Sequence, residues 1–345
     1  MPYITYYKPM TAYDPHADIE TRRRVLQQIR GRKETIFIED ITKIDYTKVP
    51  PLITHANYYY NAKRILQSKY NTDIVEYTVF QIPKRSGGMR TIEAPSEYGK
   101  AIQRVVLQVL RDVCKILEHD AAYGFVTRRN CKQSMIRHQE NNSQYFLKLD
   151  IDNFFPSLTR DVVLRALKNT AQCAYWGNFV NRMLDHCAFY EGRLSQGSPL
   201  SPYLANIAML KFDVLMTEYA NRQGLVYTRY ADDILISSAQ PIQVAKTIEK
   251  VKSLLQTNEL NLRIKESKTR YGTNKGRNWN LGIMYNKDFD LTVGHEAKHT
   301  MKVIAHKWNT LGPEDKAHFC GLLAYYKSIE PEYFNQERFN VIGLD

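Results

Sequence analysis

The sequence predicts an α+β protein, and three observations carry that reading. Runs rich in β-branched and aromatic residues recur at Tyr77–Ile82, Met89–Pro95, Tyr145–Asp150 and Leu225–Ser237, and such runs read as strands. Between them lie stretches with apolar residues at helical spacing, as from Tyr98 to Leu117, where positions 101, 102, 105, 106, 109, 110 and 113 are apolar. Gly and Pro punctuate the joins instead of gathering into one linker, and no repeat or low-complexity tract divides the chain.

Composition narrows the class of function. A chain of 345 residues suits roughly two domains with a substantial core, and 43% hydrophobic with 24% charged content is that of a folded globular protein. The formal net charge is +12, an excess that attracts polyanions, so nucleic acid is the first partner to expect. There is no apolar run of about 18 residues and no signal-like segment after Met1, so the expectation is a soluble, cytoplasmic protein without a membrane partner. Five cysteines, Cys114, Cys131, Cys173, Cys187 and Cys320, are odd in number and lack CxxC spacing. They are expected to be reduced thiols.

Taken in order, the elements are these. Residues 1–50 form an N-terminal extension whose basic segment Thr21–Arg30 has apolar positions on one helical face. It reads as a solvated surface helix or as an RNA-binding arm. Pro50-Pro51 breaks the chain before a helical stretch near residues 54–69. Two alternating runs then flank Ser86-Gly87-Gly88, a hairpin signature, with Lys84, Arg85 and Arg90 on its arms; the tip is a soluble turn or a clamp for a triphosphate. An apolar strand ends in Asp150, and Thr159 offers an N-cap for a helix from Arg160 to Lys168. Gly192–Ile207 is a Gly- and Pro-punctuated loop that launches a helix. Finally, Tyr230-Ala231-Asp232-Asp233 stands where two short strands meet.

Carboxylates at the ends of apolar strands lose hydration and repel one another, so they need compensation. A divalent cation supplies it. Oxygen-only ligands suit Mg²⁺, with Mn²⁺ as the alternative, and two such ions about 3.5 to 4 Å apart activate an attacking 3′-oxygen and stabilise a leaving pyrophosphate. Asp152 falls on the other face of its strand from Asp150 by the period of two and is expected to be structural.

Four blocks in order resemble prokaryotic reverse transcriptases, most closely the retron type: Met89-Arg90-Thr91-Ile92, Asp150 with Phe154-Phe155-Pro156-Ser157-Leu158, Gln196-Gly197-Ser198-Pro199-Leu200-Ser201-Pro202 with Ala205-Asn206, and Tyr230-Ala231-Asp232-Asp233. The resemblance covers about residues 50–285 and continues more weakly to the end. It implies a right-hand polymerase: fingers and an antiparallel-sheet palm with an RRM-like arrangement over 51–270, then primer grip and a mainly helical thumb over 271–345. It also implies RNA-directed DNA synthesis from deoxynucleoside triphosphates. Asp150, Asp232 and Asp233 are then the metal ligands. Lys84 and Arg90 hold the triphosphate, Phe155 is the steric gate against a ribose 2′-hydroxyl, and Gln196 contacts the incoming nucleotide. Tyr230 packs near the primer end, and Gly282 belongs to the primer grip. Lys268 matches the palm lysine that protonates pyrophosphate, although a plain surface lysine reads equally well. The implied partners are a structured non-coding RNA template, a primer and the cDNA product, with a protein effector or a second copy left open. The role such small enzymes imply is bacterial antiphage defence.

Two departures stand out. Where retron enzymes usually carry Asn-Ala-x-x-His, this chain has Ser134-Met135-Ile136-Arg137-His138, and where they carry Val-Thr-Gly it has Asn280-Leu281-Gly282. Retrons proper and related stand-alone defence enzymes both remain open on that ground. His295-Glu296-Ala297-Lys298-His299 spells HExxH, which raises a zinc metalloprotease with His306 or His318 as third ligand. A thumb helix presenting His295, Lys298, His299 and Lys302 to a nucleic-acid backbone explains the same letters. A catalytically inert RNA-binding protein with a polymerase fold is the other alternative. Trp279 and Tyr285 are expected to line the product duplex, and Gly321–Tyr326 to pack inside the thumb.

Overall fold

The computed structural model describes residues 3–7, 33–37, 75–84, 87–111, 118–169, 181, 184–185, 187–257, 259–260, 262–275, 278–336 and 339. The expected helices at Thr21–Arg30 and 54–69, and the turn residues Arg85 and Ser86, lie outside them.

In chain order the elements are β1 (Tyr3–Tyr7), β2 (Lys33–Phe37), β3 (Tyr77–Pro83), β4 (Met89–Pro95), α1 (Glu97–Val109), α2 (Cys131–Glu140), β5 (Tyr145–Asp150), α3 (Phe154–Ser157) and α4 (Arg160–Lys168). Then come β6 (Phe189–Tyr190), β7 (Arg193–Leu194), α5 (Ser201–Arg222), β8 (Val226–Tyr230), β9 (Asp233–Ser238), α6 (Val244–Thr257) and β10 (Arg270–Thr273). The chain closes with β11 (Met284–Tyr285), β12 (Leu291–Thr292), α7 (Gly294–His306), α8 (Pro313–Ile329) and α9 (Pro331–Phe334). They divide into two compact units, Met1–Glu118 with Asn153–Met209, and His119–Asp152 with Leu210–Asp345.

The first unit contains the expected hairpin. β3 pairs antiparallel with β4 from Tyr77 opposite Pro95 to Pro83 opposite Met89. At its tip the Lys84 N–H donates to the Gly88 carbonyl at 2.9 Å and the Gly87 N–H donates to the Lys84 carbonyl at 3.1 Å. α1 is capped by Ser96, whose hydroxyl accepts from the Gly99 N–H at 3.2 Å, and it buries Ala101, Ile102 and Val106, with Leu110 buried at its C-cap. Thr159 does stand at the N-cap of α4, but its side chain makes no capping bond. β1 and β2 form a separate antiparallel pair.

The second unit is built on a four-stranded antiparallel sheet in the order β10-β5-β9-β8. Along the chain its elements run strand, helix, strand, strand, helix, strand, with the first and third strands at the centre. That is the RRM-like arrangement expected from the resemblance. β5 and β9 are buried at every position but the first, as central strands covered on both faces are.

A second layer of core joins this sheet to the C-terminal elements. Phe146 of β5 lies 5.2 Å from the Trp279 ring and 5.5 Å from the Tyr285 ring. Met301, Phe319, Leu323, Ile329 and Phe334 complete the same cluster. Trp279 and Tyr285 are 1% and 2% exposed, so the expectation that they line a duplex is overturned: the apolar area they bury is worth more in the core. Of Gly321–Tyr326 only Leu323 is buried, while Gly321 and Ala324 face solvent. No described helix is long and apolar enough to cross a membrane.

Candidate active site

Strand register in the second unit brings the predicted acids together. Asp150, last in β5, sits opposite Asp233, first in β9. Tyr230 pairs with Asp233 across the β8–β9 hairpin, which leaves Ala231 and Asp232 as its two-residue turn. Ala231 has φ of 56°, the left-handed region that turns of this length ordinarily give to glycine. Main-chain bonds pin both ends of the constellation. The Ile151 N–H donates to the Asp232 carbonyl at 3.0 Å, and the Lys265 N–H donates to the Asp150 carbonyl at 2.8 Å.

Two lysines neutralise the carboxylates. Lys268, in a single 3-10 turn over Glu266–Lys268, donates from Nζ to Asp150 Oδ2 at 2.8 Å. That bond is the main reason its pKa is raised. Lys148 Nζ donates to Asp233 Oδ2, also at 2.8 Å. Asp232 has no such ion pair among the described residues. Burial first, then the charge of Asp233 and more weakly that of Asp150, raise its carboxyl above the ordinary value. Asp152 is turned away and accepts from Lys265 Nζ at 3.3 Å.

Lys148 was missed in the sequence, although a signal for it existed. It stands two residues before Asp150, and side chains two apart share a face of a strand. Also missed was the support under the turn. Arg229 and Asp213 are both fully buried and form a bidentate pair. Gly124 lies so close beneath that a Cβ there would come within 2.5 Å of the Ala231 nitrogen.

The donor set fits a hard divalent cation: carboxylate oxygens only, at the ends of two central strands, two of them already holding a cationic group. As the side chains stand, the charge is carried by the lysines. No three His, Cys, Asp or Glu side chains among the described residues are gathered closely enough to hold a metal ion by themselves.

Tyr230 is half-buried, its ring 6.5 Å from that of Phe125. Gly282 lies in the tight turn closed by the Ile283 N–H on the Asn280 carbonyl at 2.8 Å, and the Tyr325 hydroxyl of α8 donates to the Leu281 carbonyl at 3.1 Å.

Four predicted nucleotide-binding residues belong to the first unit. Lys84 and Arg90 are exposed at the hairpin tip. Phe155 is half-buried in α3 beside Phe154. Gln196 is half-buried, and its carbonyl accepts from the Glu93 N–H of β4 at 2.8 Å. The next residue must be glycine, because a Cβ on Gly197 would meet the Glu93 carbonyl at 2.9 Å. Ser198 fixes the following helix: its hydroxyl donates to Gln103 Oε1 at 2.9 Å and accepts from the Leu200 N–H at 3.1 Å.

Both departures from the retron signature meet in one buried polar chain. His138 contacts the Ser237 hydroxyl at 2.6 Å and the Thr228 hydroxyl at 2.8 Å. Thr228 in turn contacts the Ser134 hydroxyl at 2.9 Å, and Asn280 Nδ2 donates to that same hydroxyl at 3.4 Å. This network ties α2 and the 280–283 turn to the underside of β8 and β9.

On α7, His295, His299 and Lys302 are exposed as expected, but Lys298 is not free for a nucleic-acid backbone. It pairs with Glu330 at 2.5 Å and lies 4.5 Å from the centre of the Tyr333 ring. The His295 and His299 rings stand 6.4 Å apart, and among the described residues neither His306 nor His318 joins them as a third metal ligand.

Comparison with known proteins identifies the family. Residues 82–322 match the family described as reverse transcriptase (RNA-dependent DNA polymerase), and the chain belongs to that family. Within it the chain is of the bacterial retron type. It is 30% identical to the Retron Ec83 reverse transcriptase of Escherichia coli over 75% of this chain and 85% of that one. It is 31% identical to the Retron Mx65 reverse transcriptase of Myxococcus xanthus over 74% of this chain and 62% of that one. Apo telomerase from Candida tropicalis, truncated from the C-terminal domain, aligns over 63% of this chain and 54% of that one at TM-score 0.44 and 13% identity. The protein is an RNA-directed DNA polymerase.

Proposed function

We propose that this polymerase copies a cognate structured non-coding RNA into cDNA by two-metal-ion nucleotidyl transfer, as a retron or stand-alone enzyme of bacterial antiphage defence. The observation that carries the mechanism is the opposition of Asp150 and Asp233, with Asp232 in the turn between strands and a lysine on each flanking acid. Asp150 and Asp232 are the principal ligands for Mg²⁺ or Mn²⁺, with Asp233 beside them. When bound, the metal supplies Lewis acidity to the attacking 3′-hydroxyl and to the leaving pyrophosphate.

The chain's own residues do the rest. The primer 3′-hydroxyl loses its proton to solvent as its oxygen attacks the α-phosphorus, the bond from that phosphorus to the α–β bridging oxygen breaks, and Lys268 Nζ gives a proton to the departing pyrophosphate and regains one from solvent. Lys84 and Arg90 hold the triphosphate, Gln196 and Phe155 receive the base and sugar, and Tyr230 with Gly282 seats the primer end. Residues 1–50 are then an N-terminal extension, 51–270 the fingers and palm, and 271–345 the primer grip and thumb. The defence role rests on the kinship with retron enzymes.

Deoxynucleotide incorporation on a primed RNA template with Mg²⁺ is the test. Asp150→Ala and Asp232→Ala should each reduce incorporation by about 10²- to 10³-fold, the scale of a removed electrostatic group. Full activity in either variant would sink the assignment. Sequencing nucleic acid that co-purifies from cells should return one structured RNA and its cDNA, and a random transcript pool would count against a cognate template.

A further inference from the structure

We infer that Arg229 is the positioning residue of the catalytic turn, holding Asp232 in its working direction through the Ala231 carbonyl. This rests on the reading of Asp232 as a metal ligand. Arg229 is 0% exposed and Asp213, its partner on α5, 1%. Nε donates to Asp213 Oδ1 at 2.9 Å and Nη2 to Oδ2 at 2.6 Å. The Tyr227 hydroxyl adds a third bond to Oδ1 at 2.6 Å. The remaining Nη1 donates to the Ala231 carbonyl at 3.1 Å.

That carbonyl belongs to the peptide joining Ala231 to Asp232. Fixing its oxygen fixes the peptide plane from which the Asp232 side chain departs. The plane needs fixing, because Ala231 occupies a left-handed conformation that an L-residue leaves readily. The main chain of Arg229 is itself anchored to the 121–123 segment through both its polar groups: its N–H donates to the Ala121 carbonyl at 2.7 Å, and its carbonyl accepts from the Tyr123 N–H at 2.8 Å. Gly124, next along that segment, fills the space under the Ala231 nitrogen.

A purely structural pair is the rival account, and physical chemistry separates the two. A buried ion pair is often no more stabilising than apolar residues of similar volume, so stability alone gives little reason for one here. A planar guanidinium, however, bonds a carboxylate with one edge and a carbonyl with another in fixed relative directions, which an ammonium does not.

The test compares Arg229→Met/Asp213→Leu, which removes both charges, with Arg229→Lys, which keeps the pair but loses the planar fork. Both are measured for thermal midpoint, steady-state kinetics and Mg²⁺ binding by calorimetry without nucleotide. The expected result is a folded double variant whose kcat falls about 100-fold, the cost of displacing a positioned group by about 1 Å, while KM for deoxynucleotide changes less than about two-fold. Its Mg²⁺ affinity should also fall several-fold. A folded double variant with wild-type kcat and Mg²⁺ affinity overturns the inference. Should the double variant not fold, Arg229→Lys decides: a normal thermal midpoint with reduced kcat and weakened Mg²⁺ binding supports positioning, and wild-type values of both refute it. Asp232→Ala keeps the two readings apart. If it is active, the site assignment has failed; if it is inactive while the Arg229 variants are normal, only the positioning role has.

Discussion

At the scale of single residues, the site is an arrangement of charges that needs internal cations. Lys148 and Lys268 each sit 2.8 Å from a carboxylate oxygen, so a metal arriving at these acids meets carboxylates already engaged. Lys148→Met should therefore act in opposite directions on the two states of the enzyme. Without metal, Asp233 loses its partner among two other acids, and stability should drop by about 1 to 3 kcal/mol, the cost of leaving a mostly buried group unsatisfied. With Mg²⁺, the more negative site should bind the ion more tightly. Thermal melts with and without Mg²⁺ check this: the metal-induced rise in midpoint should be larger in the variant than in the wild type. The acids were legible in the sequence because they are adjacent in the chain or end an apolar run. Their counter-ions were legible only in part. Lys268 came from resemblance, and Lys148 needed the pairing of β5 with β9 before its position next to Asp233 had meaning. Trp279 and Tyr285 were misread for a related reason, since residue type alone does not separate a ring stacked on Phe146 from one facing a ligand.

At the scale of elements, α2 is bound to β8 and β9 by a histidine that behaves as a core residue. Burial, and to a lesser degree the nearby charge of Arg137, lowers the His138 pKa from 6.5 to about 3. In the unfolded chain the imidazole takes up a proton near 6.5, whereas in the folded protein it does so only near 3. The folded state thus binds fewer protons in that window, and the contribution of His138 to stability is complete above 6.5 and lost as pH falls toward 3. The slope is about 1.4 kcal/mol per pH unit. Denaturant unfolding across this range should show a shallower pH dependence in His138→Gln than in the wild type; equal slopes would mean that His138 does not carry the effect. The β3–β4 hairpin and the start of α4 were readable because their signals are local: Ser86-Gly87-Gly88 between alternating runs, and Thr159 ahead of Arg160. The Arg229–Asp213 pair was not, because it joins a strand to a helix whose spacing no local rule encodes.

For the whole molecule, the formal net charge of +12 and the exposed cations at the tip of β3–β4 and on α7 predict electrostatic capture of the template. Affinity for a primed RNA should fall steeply with salt, with a log–log slope of about −0.7 per phosphate neutralised on a single strand. Fluorescence anisotropy over about 50 to 200 mM salt measures it. Asp232→Asn should keep that slope while losing incorporation, since it removes a reacting-site charge and no phosphate contact. An RRM-like palm was expected from the family resemblance, and the order β10-β5-β9-β8 has that arrangement. The division into two discontinuous units was not foreseen, because Glu118, Asp152 and Met209 carry no compositional break.

The contact between Ser134 and Asn280, 146 positions apart in the chain, also bears on how such enzymes diverge. A serine hydroxyl that serves Thr228 on one side and Asn280 on the other constrains both ends, so a substitution at either position is neutral or harmful according to what stands at the other. A double-mutant cycle between Ser134 and Asn280 should therefore show coupling beyond the sum of the single substitutions, as residues sharing one hydrogen-bond network do.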